Sequence, residues 1–220
     1  MKLIDEMVAE HALIERVIGS YRTYLNQRID GTCADTAPAA AYGRFFRLYA
    51  GDFHHAREED VLFTALIEHV DLPGDRGPIA AVSAQHVAMA AVWTRLLALL
   101  EGPLADAASR EQARALAVEH SHALWLHIDA ENSVLFPESQ ARLIGAGVAE
   151  LFGRSMTAAE EAARREGEML LERFGPLDDN EVVRGEGCVV CSSYGVDCEG
   201  LEQEWWTDSE WEELDDRIGW

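Results

Sequence analysis

Apolar residues recur with a helical period along most of the chain. Leu3, Ile4, Met7, Val8, Ile14, Val17, Ile18, Tyr21 and Leu25 share one stripe with His11, which predicts an amphipathic helix over 2–28. "DGTCADTAP" interrupts the stripe. Thr36 as N-cap and Pro38 in the first turn then open a second helix that reaches about Val70. "DLPGDRGP" breaks it, a third helix is expected over 78–101, and "EGPLADA" ends that one. A fourth is expected from about Ala107 to Phe136, stopping near Pro137. The short connections suit antiparallel neighbours, so the expected fold class is all-α, an antiparallel up-down four-helix bundle. Additional helices are expected at 140–152 and 157–174, the latter opened by a capping box of Thr157 and Glu160.

The pattern repeats. "AEHALIERV" at 9–17 aligns with "AQHVAMAAV" at 84–92, placing His11 on His86. "HHAREEDVLF" at 54–63 aligns with "HIDAENSVLF" at 127–136, placing His54 on His127 and Glu58 on Glu131. The first two helices thus read as a hairpin that recurs as the next two, with paired chemistry near a pseudo-symmetry axis.

Composition sharpens this picture. The 220 residues are 48% apolar, enough for a sizeable core, and rich in helix formers. The net charge of −22 argues against a nucleic-acid or anionic-membrane partner. Lys2 is the only lysine, so little here could form a lysine-based active site. No apolar run reaches membrane-span length and the N-terminus lacks a signal-peptide core, so the expected location is cytoplasmic.

After "RFGP" the composition changes. Residues 176–220 hold fourteen acidic residues against two arginines, with three of the four cysteines and four of the six tryptophans. The expected division is a bundle over 1–152, an additional helix over 153–175 and an acidic tail over 176–220. Cys188, Cys191 and Cys198 give the tail a Cys-x-x-Cys group that suits a further metal, a cluster or a redox disulfide. "DSEWEELDDRI" reads as a short helix capped by Ser209 and Glu212, with Trp211, Leu214 and Ile218 on one side, able to dock on the bundle or on a protein partner.

The repeated histidines and glutamates carry the chemistry. Residues four apart on an α-helix differ by about 40° in direction and about 6 Å in height. His54 with Glu58, and His127 with Glu131, therefore each aim an imidazole and a carboxylate at one point. His11 and His86 complete an inward set of four histidines and two glutamates from all four helices. Such a set is costly to bury without cations. Two metals compensate it, and this donor chemistry suits iron, manganese and zinc. His55 and Glu59 are also four apart, but the repeat selects the register of His54 and Glu58. His55 is then a flanking group or one that supports the ligands from behind, and Glu59 and Asp60 are expected as surface acids. His120 sits two turns before His127 on nearly the same face, where a hydrogen-bonded core histidine or an access path is expected.

A lone histidine followed by H-x-x-x-E and then "LF", given twice, resembles the hemerythrin-like, HHE cation-binding domains. The resemblance covers roughly 1–138. It implies a four-helix bundle with two non-haem iron ions, oxo- or hydroxo-bridged, held by His11, His54, Glu58, His86, His127 and Glu131. It also implies a small diatomic or peroxide ligand. Oxygen-carrying hemerythrins have a second histidine four residues on in the third helix, where this chain has Ala90. The pattern resembles more closely a bacterial H–HxxxE–H–HxxxE subgroup. The expected function is to bind, sense or turn over O2 or hydrogen peroxide, with peroxide disproportionation or an oxidase activity as its enzymatic form. The alternatives are iron or nitric-oxide handling signalled through the tail, or oxygen binding without turnover.

Overall fold

A computed structural model describes residues 1–177 and 205–218, the last four as backbone only. Every regular element among these residues is a helix, and none is a strand. Among them no helix is long and apolar enough to cross a membrane.

Helix α1 (Lys2–Ile29) buries the expected stripe except Val8, which stands at its edge, 41% exposed. The second helical stretch is not uniform. It runs as α2 (Ala37–Arg44), two π-helical segments, π1 (Phe45–His55) and π2 (Glu58–Phe63), and α3 (Thr64–Val70). Asp35, rather than Thr36, caps its start by accepting the Ala37 N–H at 2.9 Å. Then come α4 (Gly77–Leu100), α5 (Ala107–Ala130), π3 (Glu131–Leu135) and α6 (Phe136–Gly145).

The π-helical turns were not predicted, and they solve a geometric problem. Steps of four in an α-helix drift steadily around the axis. A π turn takes more residues per revolution, so the same step drifts the other way. Alternating the two keeps His54, Glu58, Leu62 and Leu66 all buried on one face, as it does His127, Glu131 and Leu135. The wide turn π3 also precedes Pro137, and the helix continues past it instead of stopping there. The end comes at Gly145, short of the expected 152. Gly147 takes φ +87°, and the N–H groups of Gly147 and Val148 donate back to Ile144 and Leu143, closing a glycine-dependent C-cap.

Two apolar clusters make up the core. One contains Ile14, Tyr21, Tyr24, Tyr42, Phe45, Phe46, Trp93, Leu96, Leu124 and Trp125. The other contains Leu3, Met7, Leu62, Leu66, Val82, Leu135 and Phe136. Each of the four long helical stretches runs from one cluster into the other, and the order reverses from each stretch to the next. Between the clusters lies a polar layer.

Helix α7 (Ala158–Arg173) begins with the expected capping box of Thr157 and Glu160. It packs into the first cluster through Ala163, Leu170 and Leu171, followed by Phe174. Its Gly167 lies against Phe45 so closely that a Cβ would sit 2.4 Å from the ring.

Helix α8 (Asp208–Ile218) rests on the bundle. Trp205 is buried in the second cluster, Asp208 N–H donates to Asp71 O at 2.8 Å, and Arg76 pairs with Asp208 at 3.0 Å. Its cap is Thr207 with Glu210, not the predicted Ser209 with Glu212. Ser209 is drawn instead to Asp71, donating its hydroxyl at 2.7 Å. Cys188, Cys191 and Cys198 lie outside the described residues.

Candidate metal centre

The polar layer contains His11, His54, Glu58, His86, His127 and Glu131, none more than 6% exposed. Glu58 turns Oε1 to His54 Nε2 at 3.3 Å and Oε2 to His86 Nε2 at 3.3 Å. Glu131 turns Oε2 to His11 Nε2 at 3.2 Å and Oε1 to His127 Nε2 at 3.1 Å. Each carboxylate therefore offers one oxygen to each half of the layer. His11 and His54 approach through Nε2 at 2.8 Å, and His86 and His127 do so at 3.2 Å.

The outward nitrogens fix the tautomers. His54 Nδ1 meets Glu10 Oε2 and His127 Nδ1 meets Gln85 Oε1, both at 2.8 Å. His86 Nδ1 meets Glu59 Oε1 at 2.7 Å, and His11 Nδ1 meets Asn132 Oδ1 at 2.8 Å. All four partners are acceptors, so each Nδ1 carries a proton and each ring points its Nε2 inward, where that nitrogen offers a lone pair to a metal ion once it is unprotonated. Glu10 is itself ion-paired to the buried Arg57, which also pairs with Glu6.

Four inward Nε2 atoms thus converge on two carboxylates whose four oxygens are all buried without a hydrogen-bond partner. A donor set of this kind suits a cation. The ring titrations reflect the same field. Burial alone would lower His54, yet Glu58 and Glu10 carry it up to about 10. Burial brings His127 down to about 4. Burial and Glu58 push Glu131 up, but His127, His11 and His86 outweigh them and hold it at about 2. The donor atoms sort into two groups that fit a metal ion: His11, His54, Glu58 and Glu131, and His55, Glu58, His86 and His127, with donors within 4.8 Å of one another in each.

His55 is the departure from the predicted set. The sequence reading places it on the flank, whereas its ring stacks on His86 and its nitrogen joins the second group. Its counterpart in the repeat is the core residue Ile128, so symmetry conceals it. Glu59 is at the surface as expected, but it orients His86 rather than being merely solvated. The alignment held a usable signal for the outer partners. Glu10 aligns with Gln85 and Glu59 with Asn132, each adjacent to a buried donor and each bearing a side-chain oxygen. Glu15 joins neither group. His69 is exposed and His122 half-buried, and neither joins a group either.

A helical bundle with a buried layer of histidine and glutamate donors defines a cation-binding class of protein. The hemerythrin HHE cation binding domain matches residues 2–139, and the chain belongs to that family. No curated protein and no solved structure matches it.

Proposed function

We propose that this chain is a non-haem di-iron protein that binds and turns over a small oxidant, O2 or hydrogen peroxide. The observation that carries the reading is the pair of donor groups joined through Glu58, with Glu131 also turned to both halves. The ligands would be His11, His54, Glu58 and Glu131 on one side, and His55, His86, His127 and Glu58 on the other. An iron pair held there supplies open coordination positions and exchangeable electrons, which no side chain supplies. The chain's own part is to hold the imidazoles in one tautomer, keep both carboxylates charged and surround the centre with apolar residues.

The scaffold we infer is an up-down antiparallel four-helix bundle of the symmetric bacterial type. The reversal of cluster order from helix to helix supports it. So do the opposed pairings of α1 with the fourth stretch, where His11 meets Asn132 of π3 while Tyr21 meets Ala117 of α5. Peroxide disproportionation is the enzymatic form of the proposal, and a cytoplasmic location follows from the same reading.

A second reading is signalling of metal or redox state, including nitric-oxide sensing, through the acidic tail to a protein partner. The seating of Trp205 and α8 on the bundle favours it, because that contact links the tail to the second core cluster.

The test is to purify the chain, count metal per chain and record the near-ultraviolet and visible spectrum before and after peroxide. About two irons with oxo-bridge absorption support the proposal. A persistent single zinc overturns it.

A further inference from the structure

A cavity of about 480 Å³ lies between the 37–55 stretch and helices α4 and α5. Phe46, Met89, Trp93, Leu97 and Leu124 make its apolar wall, and it reaches His55 and His86 at the edge of the metal layer. Ala90 and Thr94 of α4 are among the exposed residues at its mouth, with Arg44, Arg47, Asp52 and Glu101. The volume is larger than a diatomic or peroxide needs and lies in the range of small-molecule sites.

One polar atom in this wall lacks a partner. His120, only 3% exposed, faces Tyr21 through Nδ1 at 3.1 Å. The Tyr21 hydroxyl donates to Ala117 O, so it receives the Nδ1 proton rather than giving one. Burial keeps the ring neutral by lowering its pKa to about 3. Nε2 is then a bare acceptor on the edge away from Tyr21, and no hydrogen bond reaches it from the described residues. An unpaired acceptor on a largely apolar inner wall calls for a complement.

We propose that this cavity binds a small neutral aromatic molecule bearing a hydroxyl group. The ring lies among Phe46, Met89 and Trp93, and the hydroxyl donates to His120 Nε2. An anionic ligand is disfavoured at this depth because the inner wall offers no cation; the lining arginines, Arg44 and Arg47, are both at the exposed rim, alongside the acidic Asp52 and Glu101. The site is distinct from the proposed metal positions but adjoins them through His55 and His86, so an organic molecule would rest beside the centre.

The test uses the full chain as purified, with 4-fluorophenol and 4-fluorotoluene titrated by fluorine NMR. The phenol is expected to bind roughly threefold to tenfold more tightly, the worth of a net hydrogen bond. His120→Phe should erase that preference. Ala90→Leu, at an exposed helical position that tolerates leucine, should narrow the mouth and weaken both probes about tenfold. Equal binding of the two probes, binding indifferent to Ala90→Leu, or a phenolate-to-iron absorption band overturns the proposal. Metal is counted in the same samples. A chain that holds no metal yet keeps the phenol preference removes the metal reading alone, and a metal-loaded chain without the preference removes the cavity alone.

Discussion

His55 lies flat on His86, with ring centroids 3.9 Å apart and planes 7° from parallel. One half of the centre therefore gathers three imidazoles and the other two. Replacing His55 by Leu, close in size to the Ile128 of the opposite half, is expected to weaken one metal position and leave the other filled. Glu58→Ala, which removes a carboxylate turned to both halves, is expected to empty both. Elemental analysis per folded chain, with circular dichroism to confirm folding, separates these outcomes. Equal losses would mean that His55 and Glu58 act alike.

The outward hydrogen bonds should matter nearly as much as the inward donors. Glu10→Ala strips the acceptor from His54 Nδ1 and releases its tautomer. Metal affinity is expected to fall by about 10- to 100-fold, read by competition with a calibrated chelator. Gln85→Glu should act in the opposite direction, because a carboxylate makes His127 more basic than an amide does.

Helix α7 is held by a close approach that only glycine permits. In Gly167→Ala the new methyl meets Phe45 Cδ2 and Cε2, whose ring is fully buried and cannot swing out. A loss of about 1–3 kcal/mol is expected in urea unfolding. If the variant is as stable as the parent, α7 is not seated as described.

Glu160 caps α7 and is held at about 2 chiefly by its bonds to Arg154. A folded value below the unfolded one stabilises the protein above about pH 4.5, and that contribution is lost as pH falls toward 2. Glu160→Gln should therefore cost about 1 kcal/mol near neutrality, shrinking between pH 5 and 2. Chemical unfolding of both proteins across that range checks the sign.

The sequence reveals the centre more readily than the scaffold's details. A lone histidine and an H-x-x-x-E pair are each weak signals, but their recurrence places His11 on His86 and Glu58 on Glu131, and these side chains meet in space. What symmetry cannot show is where the halves differ. His55 has no histidine counterpart, so the repeat leaves it out. The π-helical turns escape a periodicity argument because they preserve the buried face while changing the residues per turn. The end at Gly145 was legible in "IGAGV", but apolar residues beyond it kept the expected helix running. The cap of α8 was misplaced by two residues because Thr207 with Glu210 and Ser209 with Glu212 carry the same spacing.

Joining the two hairpins in a single chain has a consequence of its own. A homodimer of one hairpin would impose every side chain twice, and its two metal ions would share one environment. Covalent fusion lifts that obligation. Isoleucine at 128 can seal the interior while histidine at 55 reaches the donor layer, so the two halves of the layer need not match, and a metal bound in one half would meet a different set of ligands from a metal bound in the other.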